Sequence, residues 1–258
     1  MSKLDEILAH KREEVADAKR KRPLAQLEQS LKNRTPPRGF RRTIQRPGKL
    51  SLIAEIKRVS PSAGPIRAGA DAAGLAAAYA AAGAQAISVL TDARFFSGSL
   101  SDLAAVKEKV VLPVLRKDFL LEEYQMVEAA AAGADAVLLI VAALKPTDLR
   151  RLVRLAGDLT LDALVEVHDE RELGEALEAG AGIVGINNRD LGSFQVDLST
   201  TGRLAGRIPQ DRTVVSESGI RSRADVQRIE GWGVHAILVG EELMSAPDPG
   251  ARIKELMG

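Results

Sequence analysis

Residues 163–187, ALVEVHDERELGEALEAGAGIVGIN, have the pattern of one strand, one helix and a second strand. The apolar runs Ala163–His168 and Gly182–Asn187 alternate little between apolar and polar positions, as expected of strands that are buried on both faces. Between them, Glu170–Ala179 is typical of a helix, and Asp169 is a suitable N-cap. Such a unit favours a parallel sheet that is covered by helices.

The same unit recurs along the chain, and a glycine marks the return to a strand. Gly83, Gly133, Gly180 and Gly233 each come shortly before an apolar run, at spacings of 50, 47 and 53 residues. A glycine suits the left-handed position that ends a helix before the chain turns into a strand. The spacing corresponds to two strand–helix units, so the chain repeats one architecture throughout.

Eight apolar runs alternate with helical stretches, and this pattern predicts a (β/α)8 TIM barrel with an N-terminal helical extension. The runs are Leu50–Lys57, Ala84–Thr91, Val111–Lys117, Ala134–Ala142, Ala163–His168, Gly182–Asn187, Thr213–Glu217 and Ala236–Gly240. Thr147–Gly157 is one of the predicted helices, with Thr147 as its N-cap. A doubly wound open sheet is the alternative, but the loop after the first run lacks the usual G-x-G-x-x-G turn.

The chain divides at about residue 45 into an extension, residues 1–45, and the barrel, residues 46–258. Leu4, Ile7, Leu8 and Val15 fall on one face of a predicted helix, and RTPPRG at residues 34–39 interrupts the helical pattern. We expect this extension to pack over one end of the barrel, where it covers the site. A flexible tail is the alternative.

Composition excludes several classes of site. The 258 residues include no Cys, so disulfides, thiolate metal sites and a Cys nucleophile are excluded. The histidines, His10, His168 and His235, lack ligand spacing, and no metal site is predicted, although a Mg²⁺ site made only of carboxylates stays open. Aromatic residues make up 3% of the chain, so the core is predicted to be aliphatic.

Charge is distributed unevenly. Residues 1–50 hold 14 Lys/Arg and 6 Asp/Glu, whereas the remaining residues hold 22 and 29. The basic run Lys19–Arg22 could bind nucleic acid, but no aromatic residues interleave it, and a solvated helix face or a lid over an anionic site is favoured.

No membrane partner is predicted. The uncharged run Ala72–Leu90 is near transmembrane length, but it is Ala-rich first and β-branched later, which indicates a helix, a turn and a strand. The charged start of the chain predicts no signal peptide, so a cytoplasmic location is expected.

Charged side chains stand inside the apolar runs, near the ends where barrel enzymes place their sites. Glu55 and Lys57 end the first run, Lys117 ends the third, Glu166 lies in the fifth, and Glu217 ends the seventh. Buried charges must be paired, and five of them at one rim indicate a functional cluster. A set of Lys and Glu at a barrel mouth suits acid–base chemistry on a carbonyl compound.

Glycines at the ends of the last two runs indicate a phosphate site. Ser218, Gly219 and Gly240 fall in the two loops where barrels often bind phosphate through backbone N–H groups. Glu241 follows Gly240, and its carboxylate would repel a phosphate. We therefore expect Glu241 to begin a helix, with its side chain facing solvent.

Seven segments, taken together, resemble the indole-3-glycerol phosphate synthase family. They are AEIKRVSPSAG (54–64), VLTDARFFSGS (89–99), PVLRKDF (113–119), LVEVHDE (164–170), GINNRDL (185–191), SESGI (216–220) and LVGEELM (238–244). The resemblance runs in order from about residue 3 to the end. It implies the ring closure and decarboxylation of 1-(2-carboxyphenylamino)-1-deoxyribulose 5-phosphate in tryptophan biosynthesis. It also implies an anionic small-molecule substrate and no cofactor. We expect a monomer.

The resemblance also implies roles for individual residues. Lys117 matches the general acid that protonates the ketone, and Glu166 matches the carboxylate of the later proton transfer. Glu55 and Lys57 match a second acid–base or positioning pair. Further catalytic positions are Asn187 and Glu217. Positions implied to bind substrate are Ser60, Phe96, Phe119, Arg189, Ser218, Gly219, Leu238 and Gly240.

Three rival functions stay open at this point. Lys117 or Lys57 could form a Schiff base, as in a lysine aldolase. The neighbouring isomerase of the same pathway is also a phosphate-binding barrel, but it uses a Cys, which this chain lacks. A non-catalytic phosphate- or nucleic-acid-binding barrel would show no turnover, and the intact Lys/Glu set argues against it.

Overall fold

The computed structural model describes residues 2–32, 34–61, 63–190, 192 and 194–258. The strands are β1 (Ser51–Ile56), β2 (Val59–Ser60), β3 (Gly64–Pro65), β4 (Ala86–Leu90), β5 (Val114–Lys117), β6 (Ala136–Ile140), β7 (Asp162–Val167), β8 (Ile183–Asn187), β9 (Thr213–Glu217) and β10 (Ala236–Val239). The helices are α1 (Lys3–Lys21), α2 (Leu24–Leu31), α3 (Phe40–Ile44), α4 (Ala72–Ala81), α5 (Ala93–Phe96), α6 (Leu100–Lys109), α7 (Glu123–Ala131), α8 (Pro146–Asp158), α9 (Glu170–Glu178), α10 (Ser199–Ala205), α11 (Arg223–Glu230), α12 (Glu241–Ser245) and α13 (Pro249–Met257).

Eight parallel strands close into a barrel in the order β1-β10-β9-β8-β7-β6-β5-β4. Strand β1 pairs with both β4 and β10, which completes the ring and excludes the open-sheet alternative. Each of the eight predicted runs coincides with one barrel strand, with β7 beginning one residue before its run, so the predicted (β/α)8 fold is confirmed. The short strands β2 and β3 form a separate antiparallel pair in the loop after β1.

The repeated glycines occupy the positions that the sequence predicts. Gly83, Gly133, Gly180 and Gly233 all have left-handed backbones, with φ values of 99°, 88°, 86° and 74°. The prediction for Thr147 is wrong. Helix α8 begins at Pro146, because proline at the first helical position needs no N–H partner there.

Two layers of apolar side chains hold the barrel together. Ile53, Leu115, Leu164 and Val215 lie among the residues that fill its interior, and a larger layer lies between the strands and the surrounding helices. The uncharged run Ala72–Leu90 contains α4 and β4. None of the described helices combines the length and apolar character that a membrane span requires.

The N-terminal extension touches both ends of the barrel, whereas the sequence predicts contact with one end. Helix α3 packs Phe40 and Ile44, both fully buried, against the interior residues at the start of the strands. The backbone N–H groups of Arg38 and Arg41 donate to Asp135 and Asp162 at that end. At the opposite end, the first turn of α1 lies over the mouth. The extension therefore closes one end of the barrel and partly covers the other.

Candidate active site

A cavity of about 1240 Å³, which includes its opening to solvent, lies at the carboxyl ends of the strands. All fourteen residues that were proposed from the sequence line this one cavity. They are Glu55, Lys57, Ser60, Phe96, Lys117, Phe119, Glu166, Asn187, Arg189, Glu217, Ser218, Gly219, Leu238 and Gly240. The barrel thus brings together residues that are as far apart as positions 55 and 240 in the sequence.

Three carboxylates surround the ammonium group of Lys117. Its Nζ lies 3.4 Å from Glu166 Oε2, 3.4 Å from Glu217 Oε2 and 4.0 Å from Glu55 Oε2. The three glutamates come from β7, β9 and β1, and each is almost completely buried. We call these four side chains the lysine cluster. It concentrates acid and base groups around one point of the cavity.

Burial and charge shift the pKa values of the lysine cluster in opposite directions. Burial lowers the pKa of Lys117, but the three carboxylates outweigh it and raise that pKa above its usual value. Burial raises the pKa of Glu166, but the charges of Lys117 and His168 and an amide hydrogen bond from Asn187 outweigh burial and lower it. Burial, together with the charges of Glu166 and Glu55, raises the pKa of Glu217 to about 7. Lys117 is therefore held as an ammonium ion, a proton donor and not the neutral amine that a Schiff base requires.

Lys57 extends the cluster toward the loop after β1. Its Nζ lies 3.3 Å from Glu55 Oε1, so Glu55 stands between two ammonium groups. Gly240 packs against this carboxylate, and a Cβ at position 240 would clash with Glu55 Oε1. Close approach to Glu55 is thus one reason for glycine here, in addition to the predicted approach to phosphate.

The end of β8 supplies an oriented amide. Asn187 Oδ1 accepts from the backbone N–H of Arg189 at 3.1 Å, which leaves its NH₂ group for Glu166. The next residue, Asn188, is buried and donates to the carbonyl oxygens of Glu217 and Ser218. The ends of β8 and β9 are therefore fixed to each other beside the lysine cluster.

One side of the cavity is apolar. The rings of Phe96 and Phe119 lie with their centroids 6.2 Å apart and their planes tilted by 38°. Leu238 on β10 lines the same cavity, as do Leu4 and Ile7 of α1. These apolar side chains would suit an aromatic ring of the ligand, which would lie between them and α1.

The opposite side is polar and carries the glycine loops. Ser218 and Gly219 both have left-handed backbones, with φ values of 65° and 80°, and a Cβ at Gly219 would clash with Val196. Ser60 is buried, and its Oγ accepts from the backbone N–H of Ala63. The backbone at these positions is thereby fixed by local contacts.

Glu241 departs from its prediction. It begins α12 as expected, but its carboxylate lies 3.3 Å from the Arg189 guanidinium instead of facing only solvent. The reason is the geometry of the mouth, because the loop after β8 brings the cation within reach of α12. This ion pair spans the polar rim of the cavity, and any anion that binds Arg189 competes with it.

Sequence reasoning missed Lys11. Its side chain is fully buried, and its Nζ lies 2.8 Å from Asp92, 2.9 Å from Asp118 and 2.8 Å from Glu14. Asp118 follows Lys117, and its pKa falls to about 2 because Arg116 and Lys11 outweigh its burial. Lys11 therefore links α1 to the strand end that carries Lys117. The spacing of four residues between Ile7, Lys11 and Val15 was the available signal, because it places Lys11 on the apolar face.

Among the described residues, no group of three or more His, Asp or Glu side chains is arranged to hold a metal ion. The three carboxylates of the lysine cluster face the ammonium of Lys117, which occupies the centre that a cation would take.

The fold and this cluster are typical of a (β/α)8-barrel enzyme whose site lies at the carboxyl ends of its strands. The family model "Indole-3-glycerol phosphate synthase" matches residues 4–256. This chain belongs to that family, whose members are decarboxylating lyases of tryptophan biosynthesis.

Individual relatives agree with this assignment. The chain is 48% identical to the indole-3-glycerol phosphate synthase of Roseiflexus sp. (strain RS-1), over 99% of this chain and 98% of the relative. It is 46% identical to the enzyme of that name from Polaromonas sp. (strain JS666), over 99% and 98%. A solved structure of 3-hexulose-6-phosphate synthase aligns with a TM-score of 0.62 at 19% identity, over 81% of this chain and 98% of that one, and shares the fold.

Proposed function

We propose that the lysine cluster carries out the ring closure and decarboxylation of 1-(2-carboxyphenylamino)-1-deoxyribulose 5-phosphate, which yields indole-3-glycerol phosphate, carbon dioxide and water. The observation that carries this proposal is the buried ammonium of Lys117 in contact with three carboxylates from three strands. Conversion of this substrate, followed by the appearance of indole fluorescence, tests it. Absence of any fluorescent product at saturating substrate would refute it.

The first step forms a carbon–carbon bond. The ring carbon that bears the carboxylate attacks the ketone carbon, while Lys117 Nζ donates a proton to the ketone oxygen, which becomes a hydroxyl. Protonation in the transition state matters because the attack disrupts the aromatic ring, and a positioned acid of this kind contributes about 10²–10⁴-fold. Phe96 and Phe119 would hold the ring close to the ketone, which adds a proximity effect.

The later steps restore aromaticity. The carboxylate leaves as CO₂, and its bonding electrons return to the ring. The hydroxyl then takes a proton from Glu166 and leaves as water, while the amine of Lys117, which the first step left neutral, takes a proton from the methylene carbon between the nitrogen and the carbon that bore the hydroxyl. Because a carboxylate becomes neutral CO₂, the whole reaction consumes one proton from solvent in each turnover.

The remaining predicted residues would bind the anionic ends of the substrate. Arg189 and Ser60 would lie near the benzoate carboxylate, with Arg189 released from Glu241 when the substrate binds. The backbone N–H groups near Gly219 and Gly240 would hold the phosphate, with Ser218 beside them. Leu238 would support the apolar wall.

Substitutions at positions 240 and 241 should have unequal effects. Glu241→Ser should change KM by less than about tenfold, an interaction of about 1.4 kcal/mol or less, because the carboxylate does not bind phosphate. Gly240→Val should cost considerably more, because the added side chain collides with Glu55 and separates the phosphate from its donors. Steady-state kinetics of both variants checks this. Equal effects, or a bound phosphate in contact with the Glu241 carboxylate, would contradict the assignment.

Deletion of residues 1–32 should raise KM by roughly tenfold, which corresponds to about 1.4 kcal/mol. The deletion removes Lys3, Leu4 and Ile7 from the cavity and leaves the four side chains of the lysine cluster in place. It also takes Lys11 away from Asp92 and Asp118, so kcat should fall as well. It also keeps Arg38 and α3, which close the other end of the barrel. Kinetics and circular dichroism of the truncated chain check the prediction, and an unchanged KM would make the segment a packing element alone.

We propose further that the enzyme is active as a monomer in the cytoplasm, with no nucleic-acid partner. Every side chain assigned a role comes from one chain, so no second subunit is required to complete the cavity. Light scattering at assay concentrations, combined with activity across a dilution series, tests the oligomeric state.

A further inference from the structure

His168 lies next to Glu166 and has no role in the reaction steps above. His168 follows β7, two residues after Glu166, so both side chains point toward the same side of the barrel. The His168 side chain is 11% exposed, and its Nε2 lies 3.5 Å from Glu166 Oε1. That Nε2 atom is sealed from solvent and makes no hydrogen bond within the described part of the chain.

Glu172 fixes the orientation of this imidazole. Its Oε2 lies 2.9 Å from the backbone nitrogen of His168 and 2.9 Å from His168 Nδ1. Glu172 is buried in the first turn of α9, and its own backbone N–H donates to the N-cap Asp169. Because an ionised carboxylate only accepts hydrogen bonds, Nδ1 must carry a hydrogen, and Nε2 is left to face Glu166.

The contact between His168 Nε2 and the Glu166 carboxylate is favourable only when a single proton lies between them. A neutral imidazole with hydrogen on Nδ1 would turn the lone pair of Nε2 toward a carboxylate oxygen, and the two would repel each other. One added proton removes the repulsion, either as an imidazolium beside a carboxylate or as an imidazole beside a carboxylic acid. With two protons between them, an imidazolium N–H would face a carboxylic acid O–H, and the two hydrogens would repel each other.

We propose that His168, oriented by Glu172, shares one proton with Glu166 and restores that proton to Glu166 in each turnover. The inference rests on the proposed function. Glu166 gives the shared proton to the hydroxyl whose C–O bond breaks, the bonding electrons leave with the oxygen as water, and the pair takes up one proton from solvent. This uptake matches the one proton that the whole reaction consumes. His168 acts through Glu166 and is therefore a positioning residue.

The charges around His168 favour its protonated form. Burial lowers its pKa, but Glu172, Glu166 and Glu217 together outweigh burial and raise that pKa above 6.5. Arg171 contacts the outer oxygen of Glu172, and Lys117 faces the other side of Glu166. Lys117 lowers the pKa of Glu166, so without His168 to share the proton, Glu166 alone would lose it at a lower pH than the pair does.

The test is the pH dependence of single-turnover rates for the parent enzyme and His168→Gln. Glutamine keeps an N–H donor near Glu166 but does not titrate. The alkaline limb of the rate profile should move to lower pH, so the ratio of parent to variant rate rises with pH, by about tenfold for each unit of displacement. KM should change less than about twofold, because His168 does not touch the substrate.

Two further variants make the outcome decisive. Glu172→Gln removes the orienting charge and should move the limb in the same direction by a smaller amount, which keeps the test available if His168→Gln does not fold. His235→Gln is the matched control, because His235 accepts from Val214 at the far end of the barrel, and its profile should equal the parent's.

A ratio of rates that stays constant across the pH range for both His168→Gln and Glu172→Gln would overturn the inference, because a purely structural role scales the rate equally at every pH. Such a result, with normal parent turnover, would leave the proposed function intact. A parent enzyme that does not convert the substrate would instead refute the proposed function itself.

Discussion

Lys117→Ala should lower kcat by about 10²-fold or more while the barrel stays folded. The substitution removes the ammonium that lies within 3.4 Å of Glu166 and Glu217, so the ketone oxygen loses its proton donor. It also leaves three buried carboxylates without their shared cation, and the pKa values of Glu166 and Glu217 should rise as a result. Rapid-mixing measurement of indole formation, with circular dichroism of the same sample, checks the expectation.

Lys109→Ala is a suitable control for this substitution, because Lys109 is exposed at the end of α6, outside the cavity. Its kinetics should match those of the parent. Near-normal turnover of Lys117→Ala with an intact spectrum would show that another group protonates the ketone.

Glu166→Gln should reduce kcat by about 10²–10⁴-fold and change KM far less. Glutamine is nearly isosteric and can still accept the hydrogen bond from Asn187, but it cannot give up or take a proton. Because Glu166 is assigned to the intermediate and not to substrate binding, the loss should fall on the chemical step. Separate values of kcat and KM, from full saturation curves, decide the matter.

Glu178→Gln is the matched control, because Glu178 is exposed on α9, the helix that follows the strand of Glu166. It should have no kinetic effect. An effect of Glu166→Gln that was confined to KM would refute the assignment and make this carboxylate a binding group.

The sequence predicts the barrel well because its determinants are local. Each strand is a short apolar run, and a glycine such as Gly133 marks the return to the next strand within a few residues. The site follows from the same pattern: parallel strands present their carboxyl ends at one rim, so Glu55, Lys117 and Glu217 had to lie near one another.

The features that escaped prediction depend on contacts between distant segments. The partners of Lys11 are Asp92 and Asp118, which lie far along the chain in the loops after β4 and β5. The ion pair of Arg189 with Glu241 depends on how two loops meet at the mouth. The periodicity of a sequence does not show which distant residues pair. The partners of Lys11, on an apolar helix face, and of Glu241, after a glycine, could therefore not be predicted.

Closure of the barrel by α3 has a consequence for the order of folding during synthesis. Arg41 donates to Thr213 Oγ1 and to the carbonyl oxygen of Asp211, partners that lie 172 and 170 residues later in the chain. At typical ribosomal speeds this separation corresponds to roughly 10–30 s of elongation. This segment leaves the ribosome long before its partners and therefore has no complete docking surface until the seventh barrel strand has emerged. Its amphipathic helices must stay undocked during that interval, when nascent chains are accessible to chaperones and proteases.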